Sequence, residues 1–213
     1  MGQLETLQIA IAPDASAIKA TVQADVDAAA VKTALVDGLA GFNIPADNIA
    51  VDIAAPSGEN GGTRVNAATG ANQRYMGDYW LDVPNIQVGL AECQTSVDRV
   101  LAASTINFVT NSDELGDGAV NAINALSAVM ILCAEQGNLR ALIGGHTDSS
   151  GDAQANLGLS QRRAVTVRRE LISRGVEAGS LKAIGFGAEQ PIADNATDEG
   201  KALNRRTTIM WAE

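Results

Sequence analysis

The stretch Gly144-Gly145-His146-Thr147-Asp148-Ser149-Ser150-Gly151 separates an apolar run, Leu139 to Ile143, from a charged segment whose apolar residues recur at helical spacing. A chain that changes from strand-like to helix-like periodicity across residues rich in Gly, Ser and Asp folds there as strand, turn and helix. Gly151 lets the backbone turn back. The helix, expected over about 153–174, buries Leu157, Ala164, Val167 and Leu171, and Gly175 closes it in the left-handed conformation. Asp148 thus sits in a turn ahead of a helix that carries Asn156 and Arg163. Those two are nearly two turns apart and share a face. A carboxylate and a guanidinium so placed can clamp a zwitterion, Asp taking the ammonium and Arg the carboxylate. An internal Asp148–Arg163 salt bridge is the competing reading. His146 is the only histidine, which reads as a packing or hydrogen-bonding residue, so no metal site is expected.

The segments on either side extend this pattern. Cys93 to Ala103 reads as a helix and Thr105 to Val109 as a short strand. Ser112 or Asp113 is placed to cap a long helix over about 114–136, with Leu115, Ala122, Leu126, Val129 and Cys133 on one face. Leu181 to Phe186 is a strand, Ala196 to Leu203 a short helix and Thr207 to Trp211 a last strand. Residues 105–213 therefore read β-α-β-α-β-α-β, and residues 84–104 as a connecting helix.

Residues 1–83 follow another rhythm. Leu4 to Ala12 and residues 17–24, with Ile18 and Val22, read as strands, Asp27 as the cap of an Ala-rich helix over about 28–40, and Ile49, Val51 and Ile53 as a further strand, giving β-β-α-β. Gly77-Asp78 between Arg74-Tyr75-Met76 and Tyr79-Trp80-Leu81 marks a hairpin. Its aromatics read as a small core rather than a sugar-stacking platform. The fold class is α+β throughout.

With only 3% aromatic residues, the core must be built from Ala, Val, Leu and Ile. The net charge of −10 argues against nucleic acid as a partner. Acid predominates in residues 1–92, and Arg162, Arg163, Arg168, Arg169 and Arg174 gather in the second half. Arg162, Arg168 and Arg169 read as a solvated face. No uninterrupted apolar run reaches the roughly 18 residues of a membrane helix. Cys93 and Cys133 permit one disulfide or two buried thiols.

Four blocks carry a resemblance: His146-Thr147-Asp148-Ser149-Ser150-Gly151; Asn156 to Ala164; Gly185-Phe186-Gly187 with Pro191 to Asn195; and Gly200 to Arg206. In this order they resemble the OmpA-like peptidoglycan-binding domain. The resemblance implies binding of the diaminopimelate in the peptidoglycan stem peptide, without catalysis and without a cofactor. Asp148 would take the ammonium, Arg163 the carboxylate, and Asn156 would support the site. Arg205 would hold ligand or loop, Thr147 would stand beside Asp148, and Thr110 and Asn111 would form the rim. The β-β-α-β part resembles a BON domain lacking its first helix. Together the two resemblances imply a Cys93–Cys133 disulfide, a periplasmic location by the wall or outer membrane, and envelope proteins as further partners. Membrane contact is expected only through sequence preceding this chain or weakly through the BON-like half. A lipid-interaction or assembly scaffold, and a peptidoglycan-processing enzyme, are the alternatives.

Overall fold

The computed structural model describes residues 4–11, 18–24, 28–38, 45–54, 58–66, 69–116 and 118–212. The chain divides into two compact units, Met1–Trp80 and Leu81–Glu213. It is a mixed α/β protein, as the patterning predicts.

In the first unit, β1 (Leu4–Ile11) pairs antiparallel with β2 (Ile18–Ala24). Helix α1 (Ala28–Gly38) then connects to β3 (Ile49–Ala54), which lies parallel to β2. Parallel neighbours require such a crossover. The Asp27 cap lies outside the described residues. A second sheet joins β4 (Thr63–Val65), β5 (Asn72–Met76) and β6 (Tyr79–Asp82) in that order. Its hairpin turns at Gly77 and Asp78, at φ of 52° and 68°. Two successive left-handed residues suit the strand twist, so Gly-Asp works here. Tyr75 and Met76 are buried, and Tyr75 packs against Trp80 with ring centroids 5.1 Å apart, a core contact.

The second unit is built on α2 (Leu90–Ala103), α3 (Ala119–Gly137), β7 (Arg140–Gly145), α4 (Ala153–Ser173), β8 (Leu181–Gly185), α5 (Asp198–Asn204) and β9 (Thr207–Ala212). The sheet order is β8-β7-β9, with β8 parallel and β9 antiparallel to β7. Helix α4 packs on β7 and β8, and α3 packs on α2 and α4. Residues 90–103, which the pattern presents as a connection, pack on α3 and β9. Ile123, Leu126 and Met130 of α3 are fully buried, each stabilising by about 1.5–3 kcal/mol. Although α3 is long and apolar enough to cross a membrane, it is here a core helix. The disulfide Cys93–Cys133 ties α2 to α3 across a separation of 40 residues. Closing a loop of that length is worth about 4 kcal/mol in the chain-entropy account.

Both outer strands of this sheet are covered by a glutamine amide. Gln161 on α4 donates to the Ala183 carbonyl at 3.3 Å and accepts from the Gly185 N–H at 2.8 Å. Gln94 on α2 donates to the Ile209 carbonyl at 2.9 Å and accepts from the Trp211 N–H at 3.1 Å. Each amide stands in for one rung of a missing strand, which blunts the edge against pairing with another chain.

Several expectations fail locally. The helix expected from residue 114 starts at Ala119, after Gly118 at φ 81°. Residues 107–116 instead double back, with Phe108 bridged to Leu115, the Val109 N–H on the Glu114 carbonyl and the Gly116 N–H on the Asn107 carbonyl. That bridge replaces the strand expected at 105–109 and takes Leu115 off the helix. Leu157, expected in the core, is 37% exposed. Arg168 is not merely solvated: it donates to the carbonyls of Leu181 and Ala178.

Candidate functional site

Strand β7 ends where α4 crosses it at close range. A Cβ on Gly145 would collide with the Ser160 backbone, and one on Gly185 with the Gln161 backbone. Only glycine at both points admits this approach. It sets the first turns of α4 against the ends of β7 and β8, where His146, Thr147 and Asp148 emerge.

The turn is restrained from several sides. The Ser150 N–H donates to Asp148 Oδ1 at 2.9 Å, and Gly151 follows at φ 85°. Asp152 caps α4 by accepting from the Ala155 N–H at 2.8 Å. Asn156 reaches back, its Nδ2 donating to the Ser150 carbonyl at 2.8 Å and to the Asp148 carbonyl at 3.4 Å. The Thr147 N–H bonds the Gly187 carbonyl, and the His146 N–H the Arg206 carbonyl. From the other side the Ser149 N–H donates to Asn195 Oδ1, which also accepts from Asn204 Nδ2. Fully buried Asn204 accepts from the N–H groups of Ile192 and Ala193 and donates to the Ala193 carbonyl. Asn195 and Asn204 thus assemble the far wall. Their place in the Asn195 and Asn204-Arg205-Arg206 blocks is the one sequence signal for this role.

Arg163 and Arg205 differ in how they are held. Arg163 Nε donates to the Ser112 carbonyl at 2.9 Å and Nη2 to the Val109 carbonyl at 3.4 Å, and its guanidinium lies 4.9 Å from the centre of the Phe108 ring. It does not pair with Asp148. Arg205, at the C-terminal end of α5, donates from Nη1 to Asp148 Oδ2 at 2.6 Å. Burial alone would raise the Asp148 pKa, but hydrogen bonds from Arg205 and Ser150 hold it below the ordinary carboxylate value. Burial lowers the Arg163 pKa; Asp113 opposes this, while Arg205 and Arg162 add to it.

Thr110 and Asn111 occupy the tip of the 107–116 loop, where the Ser112 N–H closes a turn on the Val109 carbonyl and Asn111 has φ 57°. Thr147 is buried and its Oγ1 has no partner. His146, 3% exposed, stacks on Phe186 with centroids 5.1 Å apart, and its Nε2 lies 3.1 Å from Thr208 Oγ1. Burial, then Arg206, brings its pKa down to about 4, so the ring is neutral near pH 7. This is a packing residue.

The structure brings Asp148, Arg163, Asn156, Thr147, Arg205, Asn111 and Thr110 together as the lining of one cleft of about 650 Å³. Among the described residues that line it, Asp148 is the one carboxylate, alongside the guanidiniums of Arg163, Arg205 and Arg206. In a chain of net charge −10 this is a local cationic basin. It suits a ligand with more negative than positive groups.

Residues 107–205 match the family model described as OmpA family. Outer membrane porin F of Pseudomonas aeruginosa is 35% identical over 59% of this chain and 35% of its own length. Peptidoglycan-binding protein ArfA of Mycobacterium tuberculosis is 29% identical over 80% of this chain and 53% of its own. The peptidoglycan-associated lipoprotein of Pseudomonas aeruginosa is 29% identical over 73% of this chain and 82% of its own. The chain thus spans between about a third and about half of the length of the porin and of ArfA. The family match stops short of the N-terminal unit, for which a BON-like identity is not shown. Every element of the cleft from the 107–116 loop to Arg205 falls inside the residues that match the OmpA family model.

Proposed function

We propose that this chain binds peptidoglycan through the diaminopimelate of its stem peptide, without turning it over, and so anchors a component of the cell envelope to the wall. The observation that carries the reading is the opposition of Asp148 to Arg163 and Arg205 in one cleft. The free end of diaminopimelate presents an ammonium and a carboxylate on one carbon. Asp148 receives the first and Arg163 the second, each as a charge-assisted hydrogen bond. Asn156 acts at one remove, by fixing the turn that aims Asp148. Among the described residues the cleft presents one carboxylate, which fits binding better than glycoside hydrolysis, which uses a pair. Relatives named as a peptidoglycan-binding protein and a peptidoglycan-associated lipoprotein support the same ligand, and with it a periplasmic place near the wall or outer membrane. Envelope proteins remain proposed partners.

The test is co-sedimentation with purified sacculi. Asp148→Ala and Arg163→Ala should each weaken retention about 30-fold or more, the worth of a lost hydrogen bond to a charged group. Sacculi containing lysine in place of diaminopimelate should bind weakly. Full retention by both folded variants would exclude this cleft.

A further inference from the structure

Among the described residues, Arg205 is the one guanidinium of the three in the cleft that is paired with Asp148. Arg163 is held by two loop carbonyls and the Phe108 ring. Arg206 donates to the carbonyls of Asn204 and Gln190. Arg205 instead rests on Asp148 Oδ2 while its side chain is 48% exposed, against 13% for Asp148. The other oxygen, Oδ1, is committed to the Ser150 N–H inside the turn. A ligand ammonium therefore competes with Arg205 for Oδ2.

We infer that Arg205 is the specificity-determining residue of the cleft: it holds the place of the ligand's ammonium on Asp148 and, on binding, passes to the ligand's carboxylate. The inference rests on the proposed diaminopimelate reading and adds to it a rule of selection. A plain amine gains nothing by entering, because it must displace a cation of equal charge and leave that cation unpaired. An amino-acid end repays the exchange. Its ammonium replaces Arg205 on Asp148, and its carboxylate lies between Arg163 and the released Arg205. Arg205 and Arg163 line the same cleft, and the charge of Arg205 is felt at Arg163, so one carboxylate can answer both. Arg163 stays fixed and supplies position, while the exposed Arg205 supplies the exchange. The two arginines are therefore not equivalent ligands.

Calorimetric titration of the full chain with free meso-diaminopimelate and with Nα-acetyl-lysine amide tests this, since the second probe has an ammonium without a neighbouring carboxylate. In Arg205→Ala, diaminopimelate affinity should fall about 10-fold, and affinity for the amine should rise about 3-fold as its competitor is removed. Preference for the amino-acid end then narrows about 30-fold. Arg205→Lys should recover part of it. An unchanged preference, or parallel loss for both probes, would overturn the exchange while leaving the cleft intact. Failure of the wild-type chain to bind diaminopimelate would instead remove the proposed function, and the exchange with it.

Discussion

The two walls that carry the polar groups of the cleft are made in opposite ways. The turn at 146–152 is held by side chains and carbonyls from α4, the 186–197 segment and the residues leading into β9. The loop at 107–116 is held mostly by its own backbone, through the Phe108–Leu115 bridge and the turn at 109–112, with Arg163 and the exposed Arg162–Asp113 ion pair as its ties to α4. One wall is fixed by its neighbours and the other by itself. The acid that must be aimed lies on the first. The small polar groups that need only rim the opening, Thr110 and Asn111, lie on the second. Arg163 belongs to both arrangements, so its loss should loosen the rim as well as remove a charge. Loss of Asp148 should leave the rim untouched.

The largest stability effect that separates the walls is expected at Asn204. Its amide serves Ile192, Ala193 and Asn195, and through Asn195 the Ser149 N–H. Asn204→Ala leaves several buried partners unsatisfied, for a cost of about 4 kcal/mol. Hydrogen exchange should quicken at residues 147–150 and 191–195 but not at 109–114. Equal quickening in both walls would show that they are one cooperative structure.

Much of the first wall is legible because it is local. Asp148, Gly151 and the two-turn spacing of Asn156 and Arg163 lie within sixteen residues, and each follows from turn or helix geometry. The second wall misleads for the same reason. Ser112 and Asp113 look like caps, and Leu115 stands seven residues before Ala122, in phase with the helix. Gly116 and Gly118 break that phase, and the bridge to Phe108 takes the backbone bonds that a first helical turn would need. Leu157 is in phase with the buried face of α4 yet is partly exposed beside Gly187, in the segment that follows β8. The pairing of Arg205 with Asp148 joins positions 57 apart, and the glutamine amides on the strand edges obey no period. Such contacts depend on where whole elements come to rest. The β-β-α-β order of the first unit is readable from alternation in the strands and from helical spacing after Asp27, whereas such patterns carry no family identity.

A middle-sized effect is expected from acid, again on the first wall. His146 has a folded pKa of about 4 against an ordinary value of 6.5. Between those values the unfolded chain binds the extra proton, so stability is fully present above about pH 6.5 and declines as pH falls towards 4, by about 3 kcal/mol in all. Asp148 acts in the same sense lower down: its pKa is depressed, so its contribution is lost as pH falls through its folded value. Urea melts of the wild-type chain and His146→Phe between pH 4 and pH 7 check this. The variant should show a shallower decline across that window; parallel curves would mean that His146 is protonated in the folded state.

The smallest effect belongs to the second wall. Asn111 sits at φ 57°, in the left-handed region that side chains other than Asn, Asp and Gly enter at a cost. Asn111→Ala should destabilise by about 1 kcal/mol, whereas Asn111→Gly should stay within about 0.5 kcal/mol of wild type, because relief of the left-handed strain is offset by a more flexible unfolded chain. Exchange at 109–114 should rise in the alanine variant while the amides of 147–150 keep their protection. Diaminopimelate affinity should drop only a few-fold, since Arg163 retains the Ser112 carbonyl on the next residue and the Phe108 ring. A loss as deep as that of Asp148→Ala would mean that the rim aims the ligand rather than bordering it, and the division of labour between the walls would have to be reversed.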